Sequence, residues 1–264
     1  MMPLDRLHAA LGDMGDIAVA VSGGIDSLTL ATAAHRARPG GVTMHHATSP
    51  AVPPEATERT RALAAAKGWT LDVFDAGEFA DPAYRANPVN RCFFCKTSLY
   101  GAVASRTSRQ VVSGTNLDDL GEYRPGLEAA RAHAVRHPFV EAGIDKRTVR
   151  ALAAELGLGA LAELPAAPCL SSRIETGIRI EAPVLAMVHE AEKLVGARLS
   201  PRTVRCRVRA GGVVIELDPA ALQALDAMQD GLRAEVQHLA AAAGLPAPVR
   251  FAAYRNGSAF LVPA

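Results

Sequence analysis

The sequence predicts an α/β fold: a parallel sheet with flanking helices, followed by a smaller C-terminal α+β domain. Three observations carry that reading. Short apolar runs alternate with helical stretches through the first half, the rhythm of strand–helix–strand units. A Gly-Gly pair joins the first apolar run directly to a helix. Past a Pro-rich segment the rhythm stops and a hairpin pattern replaces it. The implied division is 1–165 for the first domain and 166–264 for the second.

The strands of the first domain are "IAVAVS" (17–22), "VTMHHAT" (42–48), "TLDVFD" (70–75) and "QVVSGT" (110–115). Helices fill 26–36, 54–67 and roughly 96–107. "IDKRTVRALAAELGL" has helical apolar spacing, with Asp145 as its N-cap. "ELPAAPCLSSRIETG" (163–177) carries neither period and reads as a junction. Beyond it, 181–195 is an amphipathic helix with Val184, Val188, Ala191 and Val195 along one face. "TVRCRVRAGGVVIELD" reads as a hairpin with its turn near Gly211–Gly212, followed by helices over 219–229 and 232–243 and a last strand, "VRFAAYRN". This part shows no strand–helix–strand rhythm.

Composition narrows the function classes. At 264 residues and 49% hydrophobic content, the chain buries a substantial core and is not disordered. A formal net charge of +1 gives no domain-wide field for long nucleic acid. No apolar run approaches the roughly 18 residues of a membrane span. The opening "MMPLDRLHAALGDMGD" meets charge at Asp5 and Arg6 and lacks a signal-peptide core. The expected location is cytoplasmic, where thiols stay reduced, which argues against a structural disulfide between Cys92 and Cys95.

The segment "VAVSGGIDSLTLA" carries the first chemistry. After Ser22, Gly23 and Gly24 let the backbone turn sharply, and Asp26 and Ser27 fall at a helix start. Exposed N–H groups and the helix dipole there cradle phosphate oxygens. A carboxylate beside phosphates calls for a cation, so Asp26 suggests Mg²⁺. The spacing and lysine of a Walker A loop are absent, and so is the dinucleotide fingerprint. A plain strand-to-helix turn is the bland alternative. "SGGIDS" resembles the SGGxDS loop of the PP-loop ATP pyrophosphatases. That resemblance implies an enzyme that binds the pyrophosphate end of ATP, adenylates a substrate oxygen and lets a nucleophile displace AMP. It leaves the nucleophile open.

The four cysteines bear on that choice. In "TVRCRVR", period two puts Cys206 on the apolar face, where a thiol packs as a small hydrophobe. Cys92, Cys95 and Cys169 remain. Three thiolates on an iron–sulfur cluster leave one iron open for an additional sulfur; Arg91, Lys96 and Arg173 would favour the thiolate forms. A redox C-x-x-C pair and a three-Cys zinc site completed by a histidine are the rivals. His45 and His46 point to opposite faces of one strand, and His137 precedes Pro138 without an obvious role.

"NPVNRCFFCK", "GTNLDDLGEYRPGLEAA", "RHPFVEAGIDKRTVRALAAELGL" and "PAAPCLSSRI" together resemble the LarE family of ATP-dependent sulfur transferases; the terminal "YRNGSAF" is a weaker match. The resemblance implies that the small-molecule substrate is pyridinium-3,5-biscarboxylate mononucleotide. Its carboxylates are adenylated and become thiocarboxylates in nickel-pincer nucleotide biosynthesis. One variant of that family sacrifices the sulfur of the cysteine matching Cys169. The other holds a 4Fe–4S cluster on three cysteines, and the presence of Cys92, Cys95 and Cys169 points to it, with an external sulfur donor. The resemblance further implies a homo-oligomer.

In this reading Ser22, Gly23, Gly24, Asp26 and Ser27 hold pyrophosphate and Mg²⁺. Gly114 lets ATP approach closely, and Asp118 or Asp119 assists the metal or caps a helix. Arg124 touches phosphate or stabilises a turn. Arg205, Arg207 and Arg209 project from one strand face, a solvated face or an anion site; Arg205 and Arg207 match the family's substrate-binding arginines, and Glu192 matches an acidic position. Ser172 and Arg173 orient cluster or substrate. The rivals are a tRNA thiolase, an amide-forming ligase and a non-enzymatic module that senses ATP or redox state.

Overall fold

The computed structural model describes residues 1–121, 124–165, 168–245 and 247–258. In chain order the elements are α1 (Pro3–Gly12), β1 (Ile17–Ala20), α2 (Ile25–Ala37), β2 (Val42–Thr48), α3 (Pro54–Lys67) and β3 (Leu71–Asp75). Next come α4 (Pro82–Arg85), α5 (Arg91–Ala104), β4 (Gln110–Ser113), α6 (Gly126–Ala132), α7 (Pro138–Glu141) and α8 (Lys146–Glu155). The chain continues through α9 (Ala182–Leu199), β5 (Val204–Arg209), β6 (Gly212–Leu217), α10 (Pro219–Gln223), α11 (Gln229–Ala242) and β7 (Val249–Ala253). They form two compact units, one of Met1–Asp81 with Cys92–Ala167, the other of Pro82–Arg91 with Pro168–Ala264. The division at 165/166 adjoins Ala166 and Ala167, which lie outside the described residues, as do Ala259 and Phe260 of "YRNGSAF". Residues 82–91 belong to the second unit although the sequence on both sides of them belongs to the first.

The first unit is built on a four-stranded parallel sheet ordered β3-β2-β1-β4. β1 is central and covered on both faces. Ile17 and Val19 pack with Leu7 and Leu11 of α1, Leu28 and Leu30 of α2, and Met44 of β2. Ala18, one residue out of phase, packs instead with Phe74, Tyr100, Val103 and Val111. Such two-sided burial explains why these strands read as near-continuous apolar runs. Order reverses beside β1: the chain proceeds outward through β2 and β3, then returns to place β4 on the other side. Ligands of open α/β sheets collect at such a switch point, outside the strands' C-terminal ends.

Helix boundaries follow local chemistry. α3 ends where Gly68 takes a left-handed conformation, φ +69°. Asp145 caps α8, its carboxylate accepting from Thr148 N at 2.8 Å, as the sequence predicts. α5 begins at Arg91 and not near residue 96, so Cys92 stands in a helix's first turn and Cys95 at the start of its second.

The second unit holds the sheet β5-β6-β7. β5 and β6 are antiparallel, with Arg205 opposite Glu216 and Arg209 opposite Gly212. The hairpin therefore turns at Ala210 and Gly211, one residue ahead of Gly211 and Gly212. β7 runs parallel to β6, with α10 and α11 forming the crossover, which corrects the expectation of no strand–helix–strand unit here. The helix expected over 219–229 breaks after Gln223. α9 buries Leu185, Val188, Ala191 and Val195, with Leu185 where Val184 was expected. Cys206 is fully buried, and burial drives its thiol pKa far up, consistent with a packing role.

Candidate functional site

In the first unit the loop after β1 folds back on the start of α2. Ser22 N donates to Ser27 Oγ at 3.1 Å, Gly24 N to Ser22 Oγ at 3.3 Å, and Ser27 Oγ to Gly24 O at 3.0 Å. Gly24 is the N-cap, so the N–H groups of Ile25, Asp26 and Ser27 have no intrahelical acceptor. Gly23 has φ +78°, and a Cβ there would sit 2.6 Å from Ala56 O. Only glycine fits between this loop and α3. Arg59 Nε bonds Gly23 O at 2.9 Å and fixes the loop from α3.

Two further segments close on this cradle. A Cβ on Gly114 would lie 2.8 Å from Ser27 N and 2.9 Å from Asp26 C, so the loop after β4 touches the first turn of α2 through bare backbone. Asn116 Nδ2 donates to Asp26 Oδ1 at 3.2 Å, and Lys146, the first residue of α8, forms an ion pair with the other oxygen of Asp26. Thus an ammonium stands beside the carboxylate for which the sequence suggested a metal. Asp118 Oδ2 accepts from Lys146 N at 3.2 Å and Asp119 Oδ2 from Asn116 N at 3.1 Å, so both aspartates tie down backbone. Arg124 pairs with Asp119 at 2.9 Å. Lys146 and Asn116 escaped sequence reasoning; Lys146 follows a recognised N-cap, the one signal that placed it at a helix start.

Histidines brace the loop-bearing strand ends. His46 is fully buried, with Nδ1 2.8 Å from Val21 O and Nε2 2.9 Å from Thr57 Oγ1. A carbonyl only accepts, so Nδ1 carries the proton and Nε2 accepts from Thr57. Burial pushes its pKa down and favours this neutral form. His137 Nδ1 lies 2.9 Å from Ser113 Oγ at the end of β4, and burial likewise lowers its pKa.

Cys92 and Cys95 are partly buried and share one side of α5, as residues three apart on a helix do. Neither these nor Cys169 and Cys206 are in disulfides. Among the described residues no group of three or more His, Cys, Asp or Glu is placed to hold a metal ion.

The second unit gathers Cys169, Ser172, Arg173, Glu192, Arg205 and Arg207. Arg173 is buried and bonds Glu192 with two nitrogens, Nε to Oε1 at 2.9 Å and NH2 to Oε2 at 3.0 Å. The same Oε1 accepts from Cys206 N at 2.9 Å. Arg207, 4% exposed, donates to Glu216 Oε2 at 3.1 Å and to Ser172 O at 2.9 Å. Arg209 reaches Glu216 Oε1 at 2.8 Å. The arginine face of β5 is therefore no solvated face. Burial would raise the Glu216 carboxyl, but bonds from Ser258 and Arg207 outweigh it and hold it below its usual value. Glu216 was missed because its partner positions depend on the hairpin register. Arg205 donates to Val204 O at 2.7 Å and lies over the Tyr254 ring; burial, then nearby Arg173, lowers its pKa.

A parallel sheet with a glycine loop and a helix start at its switch point, and a second unit with its own three-stranded sheet, define an α/β protein of the open-sheet class. No family model matches the chain. It is 36% identical over 224 residues to an uncharacterised protein of Synechocystis, covering 83% of each chain. It is 31% identical over 238 residues to the pyridinium-3,5-bisthiocarboxylic acid mononucleotide synthase of Lactiplantibacillus plantarum, covering 88% of this chain and 86% of that one. An uncharacterised protein of Methanocaldococcus jannaschii matches at 31% over 113 residues, 41% of this chain and 44% of that one. The chain belongs to the family of the pyridinium-3,5-bisthiocarboxylic acid mononucleotide synthases, the LarE family.

Proposed function

We propose that this protein is an ATP-dependent sulfur transferase that converts the carboxylates of pyridinium-3,5-biscarboxylate mononucleotide to thiocarboxylates, in nickel-pincer nucleotide biosynthesis. The observation that carries the reading is the cradle of Ser22, Gly23, Gly24, Asp26 and Ser27 at the sheet's switch point, in a chain of this family.

A carboxylate is a poor acyl donor because its leaving group would be oxide. Attack of its oxygen on the α-phosphorus of ATP forms an acyl adenylate and releases pyrophosphate. The N–H groups at the start of α2 hold the departing pyrophosphate, and Lys146 supplies positive charge beside it. Asp26 would hold Mg²⁺ only by giving up Asn116 or Lys146, which occupy its two carboxylate oxygens. Gly114 lets the loop after β4 lie against the first turn of α2 beside the cradle. Arg205, together with Arg207, which Glu216 holds, receives the substrate's phosphate and carboxylate groups, and Arg124 flanks the phosphates. A sulfur nucleophile then adds to the acyl carbon, and AMP leaves with the bonding electron pair.

For the sulfur, Cys92, Cys95 and Cys169 are the residues that would hold a 4Fe–4S cluster. When bound it supplies an iron site for sulfide from an external donor. Within the first unit α5 offers two thiols on one side, and within the second Cys169 stands exposed at the head of its turn. The exposure of Cys169 favours a second reading, in which its own thiol attacks the adenylate and elimination leaves dehydroalanine. The test is exchange of labelled pyrophosphate into ATP. Exchange that requires the biscarboxylate nucleotide supports adenylation; exchange indifferent to it, or absent, contradicts it. Mass spectrometry after turnover separates the sulfur sources, since self-sacrifice removes one H₂S from Cys169.

A further inference from the structure

The turn that carries Cys169 is pinned at nearly every polar group, while the thiol itself stands exposed. Residues Leu170–Arg173 form one short 3₁₀ turn, and all four are buried. Cys169 O accepts from Ser172 N at 3.0 Å and from Arg173 NH1 at 3.3 Å. Pro168 O accepts from Arg173 NH1 at 2.7 Å, and Ser172 Oγ from the same nitrogen at 3.0 Å. Ser171 Oγ lies 2.7 Å from Tyr84 OH. An exposed side chain gains nothing from packing, yet an ion pair whose side chains are only 5% and 14% exposed stands beneath it, at a desolvation cost that packing alone does not require.

We infer that Arg173 and Glu192 are positioning residues for Cys169, a clamp that holds the thiol's backbone, and not ligands of the substrate's anionic groups. Every nitrogen of the Arg173 guanidinium is engaged: Nε and NH2 by Glu192, NH1 by the Pro168 and Cys169 carbonyls and the Ser172 hydroxyl. A substrate carboxylate would have to displace Glu192 to reach it. Glu192 in turn is anchored by Cys206 N, so the clamp runs from β5 and α9 to the turn. This inference rests on the sulfur-transfer reading and reassigns two residues that the sequence placed at the substrate.

The test uses the 264-residue chain and its Glu192→Gln variant, which keeps the acceptor for Cys206 N and removes the charge that holds Arg173. Amide hydrogen exchange is read over residues 169–174 and, as a folding control, over the interior of α9. The clamp predicts exchange at least tenfold faster in the turn with α9 unchanged. It also predicts affinity for the biscarboxylate nucleotide within threefold of wild type, and single-turnover thiocarboxylate formation at least tenfold slower. Glu192→Asp, which restores the charge, recovers part of the rate. Unchanged exchange in the turn overturns the clamp, and so does a tenfold loss of nucleotide affinity. If wild type forms no thiocarboxylate, the sulfur-transfer reading fails, while the exchange arm still decides the clamp.

Discussion

Gly114→Ala tests whether the cradle depends on bare backbone contact. The added Cβ would stand 2.8 Å from Ser27 N, 2.9 Å from Asp26 C and 3.0 Å from Ser27 Cα. All three atoms are backbone of the first turn of α2, so no side-chain rotation relieves the overlap. Relief requires the 114 loop or the helix start to shift by several tenths of an ångström, and overpacking of this kind costs about 1–3 kcal/mol. For a unit of this size that lowers Tm by about 2–4 °C per kcal/mol. The shift falls on the N–H groups to which the proposed function assigns the phosphates, so pyrophosphate exchange should drop more than tenfold. Gly40→Ala is the matched control, since a Cβ there meets nothing within 4 Å. Thermal denaturation and pyrophosphate exchange are read on both variants. Equal stability and equal exchange in the two would refute the close-approach argument.

Lys146→Met removes the cation beside Asp26; both side chains are about 30% exposed, so stability should change by at most about 1 kcal/mol, while the ATP KM rises or turnover falls at least tenfold in steady-state assays. Glu216→Gln leaves the buried Arg207 and neighbouring Arg209 without their carboxylate and should cost about 3–5 kcal/mol in urea denaturation; a loss under 1 kcal/mol would show that the arginines find other partners. Burial holds the pKa of His45, His46 and His137 below the ordinary 6.5. Below 6.5 the unfolded chain therefore binds protons that the folded one refuses. The stability these groups contribute is present above pH 6.5 and declines as pH falls toward their folded values, by up to about 1.4 kcal/mol per pH unit for each. His46→Gln should flatten that slope in denaturation curves at pH 7.5 and 5.5; an unchanged slope would contradict the assignment.

The sequence made the sheet of the first unit legible because two-sided burial writes strands as apolar runs, and β2 and α3 fall where the pattern puts them. The cradle was legible for a local reason: Gly23, Gly24 and the helix start are contiguous. What depends on distant contacts was not. Residues 82–91 join the second unit through Asn87, whose side-chain amide donates to Glu175 O at 2.8 Å and Ile178 O at 2.9 Å, and no local pattern announces such bonds. A turn at Gly211 and Gly212 would have set Arg205 opposite Asp218. Gly212 lies instead within β6, where a Cβ would meet Pro248 O at 2.4 Å, and the resulting register brings Glu216 to the arginines. α1 lacked a strong cap, and its Leu7 and Leu11 acquire meaning only against β1. The first turn of α5 was hidden because "NRCFFCK" carries few residues with a strong helix preference.

The central claim is that this chain replaces carboxylate oxygen by sulfur at the expense of ATP. Its most direct test is mass spectrometry of the nucleotide product from protein purified without air and incubated with ATP, Mg²⁺, sulfide and pyridinium-3,5-biscarboxylate mononucleotide. The account predicts a thiocarboxylate product with one AMP and one pyrophosphate for each sulfur incorporated, abolished by Cys169→Ala. An unmodified nucleotide, or an amide formed from added ammonia with no sulfur incorporated, would contradict it.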